Sequence, residues 1–194
     1  MFAMDSTAHG LVDPTPTATI SLCALSATLF LLFFILTGYN FHDPNLSLSI
    51  FIGPYAEEAA SAYFASAVLG ASLGLIASVV RYRHPIRSTF TVVTAAPFVG
   101  ILLYLLGLSI PSAFASPAIY GQTSFVVMLF FLMFLYFCIF SVAFSSCAVG
   151  GCIAGHIIQE RSKRWVASPT LPSLLTLAVG MISCAAALAS TFWL

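Results

Sequence analysis

The stretch EAASAYFASAVLGASLGLIASVVRYRHPIR, residues 58–87, decides the fold. Positions 59–80 are uncharged. A hydrocarbon core about 30 Å thick needs roughly 20 apolar residues of helix at about 1.5 Å each, so this run is long enough to cross a bilayer. Within it Ala62, Ser66, Gly70, Gly74 and Ser78 recur at every fourth position. A helix in lipid gains nothing by hiding leucine from lipid, so its contact faces select small side chains that let backbones approach. The spacing predicts a packing stripe on this span. The run ends in Arg81, Arg83 and Arg87, side chains that resist translocation and hold a short loop on the cytoplasmic side.

The rest of the chain repeats this pattern. Of 194 residues, 60% are hydrophobic and 6% charged, against about 25% charged in an ordinary soluble domain. With a mean hydropathy of +1.06, so few charges cannot solvate a globule of 20.6 kDa. A soluble enzyme and a disordered tail protein are excluded on that ground, and six basic residues balanced by six acidic ones give no basic face for nucleic acid. The lipid bilayer is the expected surrounding. Uncharged runs predict five spans, at about 17–39, 58–80, 88–110, 123–149 and 170–192. Pro54, Pro85 and Pro169 stand just ahead of spans, where a helix tolerates a residue lacking an N–H.

The other basic residues, Arg161, Lys163 and Arg164, follow the fourth run, so both arginine-bearing loops belong on one side. The expected architecture is an all-α polytopic bundle with its N terminus inside and its C terminus outside. The six basic residues serve topology and lipid headgroup contact. The first sixteen residues carry Asp5 and Asp13 and no Lys or Arg, so no cleavable signal is expected. The loop after the first span holds Asn45-Leu46-Ser47, a glycosylation triplet, and the alternating apolar residues Leu46, Leu48, Ile50 and Ile52.

The fourth run stays uncharged from Thr123 to Gln159, longer than one upright span requires. Two readings compete: a break or strong tilt near Gly150 and Gly151 with a cytoplasmic helix extension over 152–165, or one long tilted helix. Ala143, Cys147, Gly151 and Gly155 give it a second small-residue stripe. The stripes on the second and fourth spans are expected either to pack on each other or to offer one face to another protein. Pro97 predicts a kink in the third span.

Chemistry is scarce. Cys23, Cys138, Cys147, Cys152 and Cys184 lie in or beside spans, and His9, His42, His84 and His156 all avoid span centres. No zinc, phosphate-loop or nucleophile motif is present, so no catalytic residue, metal or cofactor is expected. Intramembrane acids and bases are rare unless functional, and none falls deep in a span. Glu58, at the outer start of the second span beside Glu57, is the one candidate for ion or solute entry; otherwise it stabilises the positive helix end. These features predict a non-catalytic accessory, scaffold or assembly subunit of a larger membrane complex, with other membrane subunits as partners. The alternative is a small transporter, channel or substrate-binding membrane subunit for a neutral or apolar solute.

Overall fold

The computed structural model describes residues 12–40, 56–100, 102–103, 123–162 and 170–190. The described residues include five α-helices, α1 (Pro16–Asn40), α2 (Ala56–Ala77), α3 (Pro85–Thr89), α4 (Thr123–Ser162) and α5 (Leu171–Ser190), and a π-helical segment, Phe90–Ala95. Among the described residues there is no strand, only an isolated parallel bridge between Val12 and Val80. Four stretches, Pro16–Phe33, Ala60–Ala77, Phe140–Ser162 and Leu171–Ser190, are long and apolar enough to cross a membrane, as in a multi-pass membrane protein. The third expected span, 88–110, lies outside the described residues at 101 and from 104 onward, as do the glycosylation triplet and the loop around it.

Local chemistry sets the helix ends. Thr15 caps α1 by accepting the Ala18 N–H at 3.2 Å, and Pro16 takes the first helical position, where its missing donor is harmless. Pro85 opens α3 in the same way. At the end of α2, Val79 and Val80 tighten to bonds three residues back, on Ile76 and Ala77. The chain then meets the N-terminal segment. Val12 donates to the Val79 carbonyl at 3.3 Å and accepts from the Arg81 N–H at 2.9 Å, while Asp13 pairs with the Arg81 guanidinium at 3.9 Å.

The kink expected at Pro97 takes a particular form. α3 passes into a π-helical segment, Phe90–Ala95, and Ala96 donates five residues back to Thr91. Pro97 has no N–H, so the Val93 carbonyl four residues earlier loses its ordinary helical donor. Ser26 on α1 supplies the replacement at 2.5 Å, with its hydroxyl wholly buried. The proline therefore creates an acceptor, and α1 docks on it.

α4 crosses Gly150 and Gly151 without interruption and runs as one helix to Ser162. This corrects the expectation of a break there. Gly150 faces open space, whereas a Cβ built on Gly151 would overlap the Ala71 carbonyl oxygen of α2. The second glycine thus serves close approach and not bending. Of the expected extension over 152–165, residues 152–162 are helical and 163–165 lie outside the described residues.

Large apolar side chains such as Phe33, Leu69, Leu73 and Phe140 fill part of the interior, but the outer surface is apolar as well. On α5 the buried positions are Pro172, Ser173, Thr176, Gly180, Cys184 and Ala187, while Leu174, Leu175, Val179 and Ile182 point outward. Elsewhere Ile20, Phe64 and Val142 are more than 60% exposed, and Ser26, Ser66 and Ser78 are fully buried. Water would expel such a surface. Lipid accommodates it, and leaves helix association to close contact and interhelical hydrogen bonds.

Candidate functional site

The two small-residue stripes meet. All five positions of the α2 stripe, Ala62, Ser66, Gly70, Gly74 and Ser78, are buried. A Cβ on Gly70 would overlap the Phe144 carbonyl oxygen, one on Gly74 the Ala148 carbonyl oxygen, and one on Gly155 the Ser78 hydroxyl. Glycine is required because the neighbour is mostly backbone, which has no rotamer with which to yield. Ser66 adds a hydrogen bond across the same seam, donating to the Phe140 carbonyl at 2.9 Å. Cys147 sits at the margin, only partly buried. Four-residue steps advance about 40° around a helix per turn, so a strict row drifts off the seam. The backbone nearest α2 belongs to Phe144, Ala148 and Cys152.

α5 packs on another side of α2. A Cβ on Gly180 would stand 2.8 Å from Ile76 Cγ1 and 3.1 Å from the Ser72 carbonyl. α1 closes on α4 through Phe30 and Phe144, with ring centres 4.7 Å apart, and through Phe33 and Phe140 at 5.9 Å. Both glycine stripes are therefore consumed inside the bundle. Toward the opposite end from the arginines, a shallow groove of about 230 Å³ lies between Ser61, Phe64 and Val68 of α2 and Ala186 and Ser190 of α5.

A polar layer closes the arginine-bearing end. Gln159 of α4 is 1% exposed; its amide nitrogen donates to the Ser78 hydroxyl at 3.1 Å and to the Ser78 carbonyl at 3.4 Å. Its oxygen accepts from the Ser173 hydroxyl at 3.4 Å, so one side chain joins α2, α4 and α5. Two helical turns deeper, the buried Thr89 hydroxyl donates to Cys152 Sγ at 3.2 Å, joining α3 to α4. The buried His156 lies between these two contacts in sequence. Thr19 and Tyr82 share a hydrogen bond of 3.2 Å between α1 and the loop after α2. Sequence reasoning missed Gln159, Ser173, Thr89 and Ser26. Gln159 carried a signal, as the only amide in an otherwise apolar run.

The remaining expected site residues divide by location. Arg81, Arg83, Arg87 and Arg161 are exposed at the same end of the bundle, while Lys163 and Arg164 lie outside the described residues. Glu58 is in the first turn of α2, and its side chain lies outside what is described. Among the described residues no Asp, Glu, Lys or Arg is buried, and no three His, Cys, Asp or Glu side chains come together as a metal site. What the arrangement can do chemically is hold helices in register. Comparison of the chain with protein-family models, curated proteins and solved structures gave no match.

Proposed function

We propose that this chain is a five-span integral membrane protein, with its arginine-bearing end cytoplasmic, that acts as a non-catalytic accessory or assembly subunit of a larger membrane complex. The observation that carries the reading is the close seam between α2 and α4, where Gly70, Gly74 and Gly151 leave no room for a Cβ against the facing backbone, so that the two helices are held in register. The absence of buried acids or bases among the described residues also favours a structural role over catalysis.

Purification from native membranes in mild detergent tests this reading. A membrane partner at fixed stoichiometry is expected, and a lone monomer in every mild detergent would refute it. For topology, cysteines replacing Arg83 and Lys163 should label from the same compartment.

One observation favours the second reading, a small transporter or channel for a neutral solute. The π-helical segment and Pro97 interrupt the regular helix of the third span, as broken helices do where solutes cross. Solute flux in reconstituted vesicles separates the two.

A further inference from the structure

All six basic residues of the chain occur in the segments 81–87 and 161–164, and the fold brings Arg81, Arg83, Arg87 and Arg161 to one end. The contacts already described set their level. Arg161 lies two residues beyond Gln159, which bonds Ser78; Arg81 lies three beyond Ser78; Arg87 lies two before Thr89, which bonds Cys152. At about 1.5 Å per helical residue, Arg81, Arg87 and Arg161 fall within roughly 12 Å of one another along the bundle axis. Asp13 approaches Arg81 at 3.9 Å; among the described residues, Arg83, Arg87 and Arg161 have no carboxylate within ion-pair distance. Exposed apolar side chains share the same end: Ile86, Phe90, Ile157, Ile158 and Leu171 are each 41–49% exposed. Cations on long side chains at one end of the bundle, with large apolar side chains beside them, match the boundary between phosphate and acyl chain.

We infer that Arg83, Arg87 and Arg161 form a collar that selects anionic phospholipid headgroups over zwitterionic ones at the cytoplasmic leaflet. The inference rests on the membrane reading above. A guanidinium holds a phosphate through two parallel N–H donors, so the recognised group is the lipid phosphodiester with an uncompensated negative charge. An arginine is expected to favour an anionic lipid beside it by about fivefold at low salt, and the effect should fade as the screening length shortens to about 10 Å near 0.1 M salt.

The test uses the full chain in phosphatidylcholine vesicles, with spin-labelled phosphatidylcholine or spin-labelled phosphatidylglycerol as the reporter. Electron spin resonance resolves the lipid held at the protein surface. The expected result is a phosphatidylglycerol preference of about fivefold or more. It should fall to near unity in the R83Q/R87Q/R161Q variant, and in the wild type when sodium chloride is raised. The salt titration needs no mutation, so it still tests the collar if the variant fails to insert. Equal affinity for the two labels, or a preference indifferent to salt, would overturn the collar while leaving the membrane reading intact. No immobilised lipid of either kind would instead remove the membrane reading. Inorganic phosphate that displaced the label more strongly than chloride of equal ionic strength would assign the arginines to a soluble phosphate ligand and overturn the lipid assignment.

Discussion

Replacing Gly150 and Gly151 by alanine, one at a time, perturbs two adjacent residues of the same helix in opposite directions. A methyl group on Gly150 would have nothing within 4 Å, so alanine there adds no contact and removes backbone freedom from the unfolded chain. A gain of about 0.4–1 kcal/mol is expected, the usual margin between the two residues in a helix. At Gly151 the same methyl overlaps the Ala71 carbonyl oxygen and stands 2.8 Å from its carbon, so α2 and α4 must part. Overpacking of this kind costs about 1–3 kcal/mol. Parting the helices also stretches Ser66 to Phe140 and Gln159 to Ser78, interhelical bonds worth about 0.6 kcal/mol each on average in a membrane. Less the propensity gain, a net loss of roughly 1–3 kcal/mol remains, and the two variants should differ by about 2–4 kcal/mol. Equilibrium unfolding in mixed micelles, with circular dichroism as the readout, measures both. Equal stabilities for the two variants would refute the placement of Gly151 in the seam.

Other consequences follow from the hydrogen bonds and from burial. Ser26→Ala should destabilise by about 0.6–1.7 kcal/mol, and by clearly less in a Pro97→Ala background, because alanine at 97 restores the N–H that the Val93 carbonyl lacks; additive effects in the double-mutant cycle would argue against that coupling. Gln159→Leu severs both α2 and α5 from the polar layer and should cost about 1–2 kcal/mol, with Ser173→Ala adding almost nothing afterwards; a full additional loss from Ser173→Ala would show that the two side chains act separately. A membrane-permeant maleimide should modify Cys23, Cys138 and Cys147 in the folded protein well before Cys152 and Cys184, which are buried; mass spectrometry of peptides gives the order, and early labelling of Cys152 would contradict its contact with Thr89.

The α2 stripe was legible in the sequence because only small side chains permit backbone contact in lipid, and nothing else explains a four-residue recurrence of Ala, Ser and Gly. The partner row on α4 was legible only roughly. A fixed four-residue step placed Cys147 on the seam, whereas the turn of the helix puts Phe144, Ala148 and Cys152 there. Adjacent glycines suggested flexibility, but glycine meets two different needs, and which one applies depends on a neighbour that the local sequence does not name. The π-helical segment left no compositional trace, since Val, Thr and Ala suit several helix types. Pro97 announced a disturbed helix but could not reveal that Ser26, seventy-one positions earlier, supplies the missing donor. Buried hydroxyls bonded to distant carbonyls are invisible to hydropathy for the same reason: serine in an apolar run reads alike whether it faces a backbone carbonyl or its own helix.

The central claim is an apolar outer surface that faces lipid, with hydroxyls and glycines turned inward along the helix seams. Carbene footprinting in reconstituted vesicles, using a photoreactive reagent that partitions into the hydrocarbon, measures that directly by peptide mass spectrometry. Heavy modification of Ile20, Phe64, Val142, Val179 and Ile182 is expected, with Ser66, Ser72, Gly74, Gly151 and Thr176 left unmodified. Labelling of those serine, glycine and threonine positions, with Ile20, Phe64, Val142, Val179 and Ile182 protected, would contradict it.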